Sequence, residues 1–199
     1  MTLYTGLDDA PSHRARIVLA AKSLEIRIVR CDPSRPPEDL IDLNPFQSLP
    51  TLVDRDVVVY GPTVICEYLD ERYPAPALLP GDPGGRAQAR MTMGRMEQDW
   101  YGPAAELDGG ERRDQSRARR ELLEAMLAAE PLFRVKPWFL SDHFSLLDAA
   151  AAPILWRLRR WQVELPAAGA QAIERYAQRA FAHPAFRSSL SPAEQGMRE

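Results

Sequence analysis

The stretch DLIDLNPFQSLPTLVDR, residues 39–55, constrains the fold more than any other part of the chain. Thr51-Leu52-Val53 is a short β-branched and apolar run bounded by turn residues, which reads as a buried strand. Pro50 stands immediately before it. A proline at that point removes no ladder hydrogen bond, and an X-Pro bond there is one that tertiary structure can hold cis. Such a bond turns the chain sharply and leaves the Leu49 amide and carbonyl facing outward. That edge is where a peptide-like ligand would pair.

The flanking segments supply the rest of a sheet. TLYT at 2–5 reads as a strand, and Ser12 is placed to cap a helix running to about Lys22, with His13 on its surface or in a groove. Residues 25–30 (EIRIVR) alternate and read as a second strand. Val57 to Tyr60 follows Val53 through a tight turn, and Pro62 opens a helix to Arg72. Strands joined through a helix should be parallel, and those joined by a hairpin antiparallel. The order β-α-β-α-β-β-α is the thioredoxin-like arrangement, and a proline before the third strand is its mark.

YPAPALLPGDPGG at 73–85 admits no crossing helix or strand. Beyond it every pattern is helical. Residues 87–100 carry Met93, Met96 and Trp100 at helical spacing; 111–130, 145–161 and 169–181 give three more helices. Leu147, Ala151, Ile154, Leu158 and Trp161 form a buried stripe on the third of these. Ser145 and Asp148 make a capping-box-like start, Phe144 is placed to staple the first turn, and Pro153 should kink the helix. The expected division is 1–73, thioredoxin-like; 74–85, linker; and 86–199, all-helical.

Composition excludes several functions. A net charge of −3, with 12 acidic against 8 basic side chains in residues 1–80, argues against broad nucleic-acid binding. The Arg-rich run at 112–120 is interleaved with Glu111, Asp114 and Glu121, the pattern of a solvated helix face. Cys31 and Cys66 lie outside any CxxC spacing, and His13, His143 and His183 lack metal-ligand spacing. No apolar run approaches the ~20 residues of a membrane span. Two thiols expected to be reduced, with no signal peptide read at the start, give a cytoplasmic protein as the expectation.

An α/β thioredoxin-like half, a proline-rich linker and an all-α half resemble the glutathione S-transferase fold. Within it SHRARIVLAAK, DLIDLNPFQSLPTLVDR, EYLDERYP, MEQDW, FLSDHFSLLDAAAAPILWRL and PAEQGMRE are similar to the stringent starvation protein A family. That resemblance implies a bacterial stress regulator that binds RNA polymerase holoenzyme with its sigma factor. It implies a homodimer through the first two helices of the helical half, with Met91, Met93 and Met96 as candidates to line it. It implies no cofactor, no membrane and no sequence-specific DNA contact.

Against the transferase pattern, the catalytic cysteine position falls on Asp9, and a carboxylate there repels a thiolate. The Glu/Gln-Ser pair that holds the γ-glutamyl group is replaced by Gly61-Pro62. With Leu49 and Pro50 these residues outline a vestigial glutathione cleft, so the chain is expected not to be an enzyme. The family's exposed Pro-His-Pro segment corresponds to Pro74, Ala75 and Pro76. Together with Tyr73 they form the candidate partner-binding loop, with the imidazole missing.

Overall fold

The computed structural model describes residues 1–32, 34–109 and 115–198. The four predicted strands are present: β1 (Thr2–Thr5), β2 (Arg27–Arg30), β3 (Thr51–Asp54) and β4 (Val57–Tyr60), in the order β2-β1-β3-β4. β1 and β2 run parallel, as their helical connection requires; β3 pairs antiparallel with both β1 and β4. The helices of this layer are α1 (Ala10–Ala21), α2 (Glu38–Leu43) and α3 (Pro62–Arg72). Leu3 and Leu52 from the two inner strands and Ile17, Val18, Ile65 and Leu69 from α1 and α3 are fully buried. The Leu49–Pro50 bond is cis.

The start of α1 differs from expectation. Pro11 sits in the first turn, which moves the cap upstream to Asp9, whose carboxylate accepts from Ser12 N–H at 2.7 Å. Ser12 lies inside the helix, fully buried, with its Oγ accepting from Gly6 N–H at 2.9 Å. His13 is likewise buried rather than on the surface.

The helical part contains α4 (Pro83–Met96), which continues through a π turn (Glu97–Tyr101) into α5 (Gly102–Gly109), then α6 (Gln115–Ala129), α7 (Leu146–Arg157) and α8 (Gln171–Ala182). α4 starts four residues earlier than its apolar spacing suggests, because the Asp82 carboxylate caps Gly85 N–H at 2.8 Å. Of the helix read over 111–130, residues 111–114 lie outside the described residues. α7 is buried almost all round, as befits a central helix; of the predicted stripe Leu147, Ala151 and Ile154 lie on it, while Leu158 and Trp161, also buried, follow its end at Arg157, four residues short of the expected 161. Its capping box forms: Asp148 accepts from Ser145 N–H (2.8 Å), Ser145 Oγ–H (2.9 Å), Phe139 N–H (2.8 Å) and Tyr176 O–H (2.7 Å). Burial pushes the Asp148 carboxyl up, against the pull of those hydrogen bonds. Phe144 stacks on His183 at 4.1 Å and meets Trp138 edge-on.

Two short helices end the chain, α9 (Pro184–Ser189) and α10 (Pro192–Gln195). The structure falls into two compact units, Met1–Pro76 with Pro184–Gly196, and Ala77–His183 with the residues from Met197 on. A division that leaves 86–199 whole assigns the tail to the helical half; buried charge places it with the sheet instead. Arg16 Nη2 lies 2.6 Å from both carboxylate oxygens of Glu194, its Nε donates to Ser189 O (3.0 Å), and its Nη1 donates to Thr5 Oγ1 (2.6 Å). Ser191 and Glu194 form a second capping box, and Ser191 Oγ–H donates to Leu7 O at 2.8 Å.

Breaking a buried ion pair from one side strands the other charge, at about 3–5 kcal/mol. Glu194→Gln should therefore lower stability by about that amount. Arg16→Met in the same chain should recover part of it, because the stranded guanidinium is gone. Urea midpoints of the two single variants and the double variant check this; additive losses contradict it.

Candidate functional site

The strand register gathers the predicted cleft residues at one end of the sheet. Tyr4 pairs with Thr51, and Thr51 with Tyr60, so the loop after β1, Pro50 before β3 and Gly61 after β4 lie at neighbouring strand ends. Asp9 stands in that first loop. Among the described residues no hydrogen bond reaches the Leu49 amide or carbonyl, and Leu49 is half-buried against Tyr4, Cys31 and Leu40. The backbone edge on which a peptide could pair is therefore open.

The side chains around that edge are ill suited to a thiolate. The first-turn amides of α1, its electropositive end, are met by the chain's own carboxylate at Asp9. Asp9 also packs so closely on Gly6 that a Cβ there would fall 1.8 Å from its Oδ2. The nearby hydroxyls are taken: Ser12 is sealed, and Tyr4 O–H donates to Asp39 at 2.6 Å. That hydrogen bond, helped by burial, pushes the Tyr4 phenol up to about 12. At α3, Gly61 has φ +86°, which favours glycine, and offers no side-chain cap; Pro62 follows in the first turn. Neither residue carries a carboxylate or hydroxyl side chain.

The proline loop lies at the opposite end of α3, about 16 Å along the helix axis. Tyr73, the C-cap residue, is half-buried, with the Arg72 guanidinium 5.5 Å from its ring centroid. Pro74, Ala75 and Pro76 are exposed, and the Ala75–Pro76 bond is cis. In the second unit, Leu78 and Leu79 are buried, and Leu78 O accepts from Leu146 N–H at 2.9 Å. A groove of about 460 Å³ lies there, lined by Leu78, Leu79, Leu140, Phe144 and Leu147, with His143 also at its wall.

Comparison with known proteins fixes the family. The glutathione S-transferase N-terminal domain matches residues 11–72, and the glutathione S-transferase C-terminal domain matches 116–186. The chain is 41% identical to a stringent starvation protein A homologue of Coxiella burnetii over 199 residues, all of this chain and 95% of that one. This chain belongs to the stringent starvation protein A family. A more distant relative is the maleylacetoacetate isomerase of Pseudomonas aeruginosa, at 32% identity over 98% of this chain and 97% of that protein. In fold, the chain is similar to BphK, a bacterial glutathione S-transferase, with a TM-score of 0.87 at 18% identity over 98% of this chain and all of that one.

Several other candidates in this member of the stringent starvation protein A family resolve into structural roles. Ser189, His13 and Glu194 are arranged like a nucleophile, base and orienting carboxylate: His13 Nε2 is 3.0 Å from Ser189 Oγ, and Nδ1 is 3.6 Å from Glu194 Oε1. All three are buried, and Ser189 O–H donates to Phe186 O at 2.7 Å, so they form a clasp on the tail. His183 packs between Phe144 and Trp138, where burial pushes its imidazole down. In the run 112–120, residues 112–114 lie outside the described residues. Arg117 pairs with Glu106 and Glu121, Arg120 with Glu124, and Arg119 donates to Trp161 O. Met93 and Met96 are buried in the core and cannot line an outer face; Met91 is exposed. Among the described residues there is no cluster of three or more potential metal ligands, and no helix long and apolar enough to cross a membrane.

Hydrogen bonds to charged groups contribute about 1.5–3 kcal/mol each. Two missing at Gly61-Pro62 predict glutathione binding at least ~100-fold weaker than in transferases that keep the Glu-Ser pair. Titration calorimetry checks this; a micromolar dissociation constant contradicts it.

Proposed function

We propose that this chain is a non-catalytic regulator of transcription that binds RNA polymerase holoenzyme in the bacterial cytoplasm. In this reading the loop Tyr73-Pro74-Ala75-Pro76 presents its surface to the enzyme and its sigma factor. The observation that carries the proposal is the pairing of an exposed, proline-rigidified loop with a cleft whose thiolate position is filled by Asp9 as a helix cap. Prolines lower the ordering cost of binding, so a short loop can supply useful affinity. The full-length likeness to stringent starvation protein A homologues supports the same reading. A homodimer through α4 and α6 would use Met91, not Met93 or Met96.

A second reading is a glutathione-dependent transferase or isomerase. It is favoured by the open Leu49 edge and by the full-length likeness to a maleylacetoacetate isomerase.

The deciding experiment immobilises the purified protein and offers it RNA polymerase holoenzyme. Retention at micromolar protein is expected. Ala75→Glu, which places a charge on the exposed loop, should weaken retention at least ~10-fold without changing the melting temperature, equivalent to ~1.4 kcal/mol. Ala75→His should bind at least as well as the wild type. Light scattering of the sample should give twice 22.4 kDa. Absence of holoenzyme binding sinks the regulator reading, and a monomer mass sinks the dimer. Glutathione conjugation or isomerisation well above background would establish the enzyme reading.

A further inference from the structure

Lys22 is one of only two lysines in the chain and ends α1, yet its side chain is wholly buried. Lysine is rarely sequestered unless its ammonium is paired and hydrogen-bonded. Here Nζ donates to Asp70 Oδ1 at 2.6 Å and also to the backbone carbonyl of Pro76. Asp70 lies in the last turn of α3, with its side chain 8% exposed. One ammonium thus joins the end of α1, the end of α3 and the proline loop.

The geometry points to Lys22 and Asp70 as positioning residues for the partner-binding surface: their buried ion pair fixes the Pro76 carbonyl and so holds Pro74 and Ala75 in the presented conformation. This inference rests on the regulator reading above. Neither side chain touches a partner; both act through the loop. Proline rings restrict the loop's internal rotations but cannot by themselves fix its placement against α3, because φ of Pro74 is set and its ψ is not. A donor bound to the Pro76 carbonyl supplies that missing restraint. Lysine suits the task, since one ammonium carries three rotatable donors and can serve a carboxylate and a carbonyl together. Its burial keeps water from competing for either acceptor.

The test compares the wild type with Lys22→Met, Lys22→Arg and Asp70→Asn in the full chain. The first readout is the backbone ¹⁵N order parameter of Ala75, which needs no partner. It should lie near 0.85 in the wild type and fall below ~0.6 in Lys22→Met, while amides in α7 stay unchanged. The second is holoenzyme affinity, expected to fall ~10-fold in Lys22→Met and to be partly restored in Lys22→Arg, which keeps the charge and multiple donors. A merely structural loss would not be silenced by the loop itself. Lys22→Met should therefore add no further loss of affinity in an Ala75→Glu background. Asp70→Asn, which leaves the Pro76 contact a donor, should lie between wild type and Lys22→Met, and it replaces Lys22→Met if that variant does not fold. An unchanged order parameter and affinity in Lys22→Met, or in Asp70→Asn standing in for it, overturns the proposal. So does a full loss of affinity added to that of Ala75→Glu. If the wild type fails to bind holoenzyme, the regulator reading falls, and the order parameter still decides whether Lys22 fixes the loop.

Discussion

The first unit depends on charge buried along α1. This helix and its C-cap sequester Arg16 and Lys22, and ionised groups out of water must be met by partners. Those partners come from segments far apart in sequence: Thr5 in β1, Asp70 in α3, Pro76 in the loop, and Ser189 and Glu194 in the tail. Apolar packing of Ile17 and Val18 would hold α1 on the sheet in many rotations. The polar contacts select one, and with it the register of the loop and the tail.

The two ends of α1 have different fates. At the first, the Asp9 carboxylate supplies a negative charge to the electropositive helix end. At the other, Lys22 reaches the residues that follow α3. Since α1 and α3 each start at the cleft end of the sheet, the cleft and the proline loop sit about one helix length apart. On the regulator reading, loss of chemistry at one end would leave the packing of the other untouched, and a catalytic fold would serve as a scaffold for binding.

Much of this was legible in the sequence. The proline before β3, the alternation of residues 25–30 and the hairpin at 54–56 specify the mixed sheet, since each is a local signal. Ser145 and Asp148 likewise announce the start of α7. The cap of α1 is ambiguous in sequence because Ser12 is also a good capping residue; the position of Pro11 in the first turn favours Asp9. In the tail Ser191-Pro192-Ala193-Glu194 spells a capping box, a signal that marks a helix start but not what the helix packs against. Met93 and Met96 fit an interface or a core equally well in sequence, because helical spacing reports a face without saying which neighbour covers it. Long-range pairs such as Arg16 with Glu194, 178 residues apart, leave no periodic trace.

On the regulator reading the binding surface has moved from the Leu49 edge to the proline loop. Methyl spectra of an alanine- and leucine-labelled sample test it directly, because Ala75 reports the loop and Leu49 the cleft in one spectrum. Addition of holoenzyme is predicted to broaden the Ala75 signal and leave Leu49 unchanged, and millimolar glutathione is predicted to move neither. A Leu49 shift that saturates with glutathione at submillimolar concentration, with Ala75 indifferent to holoenzyme, would contradict the account.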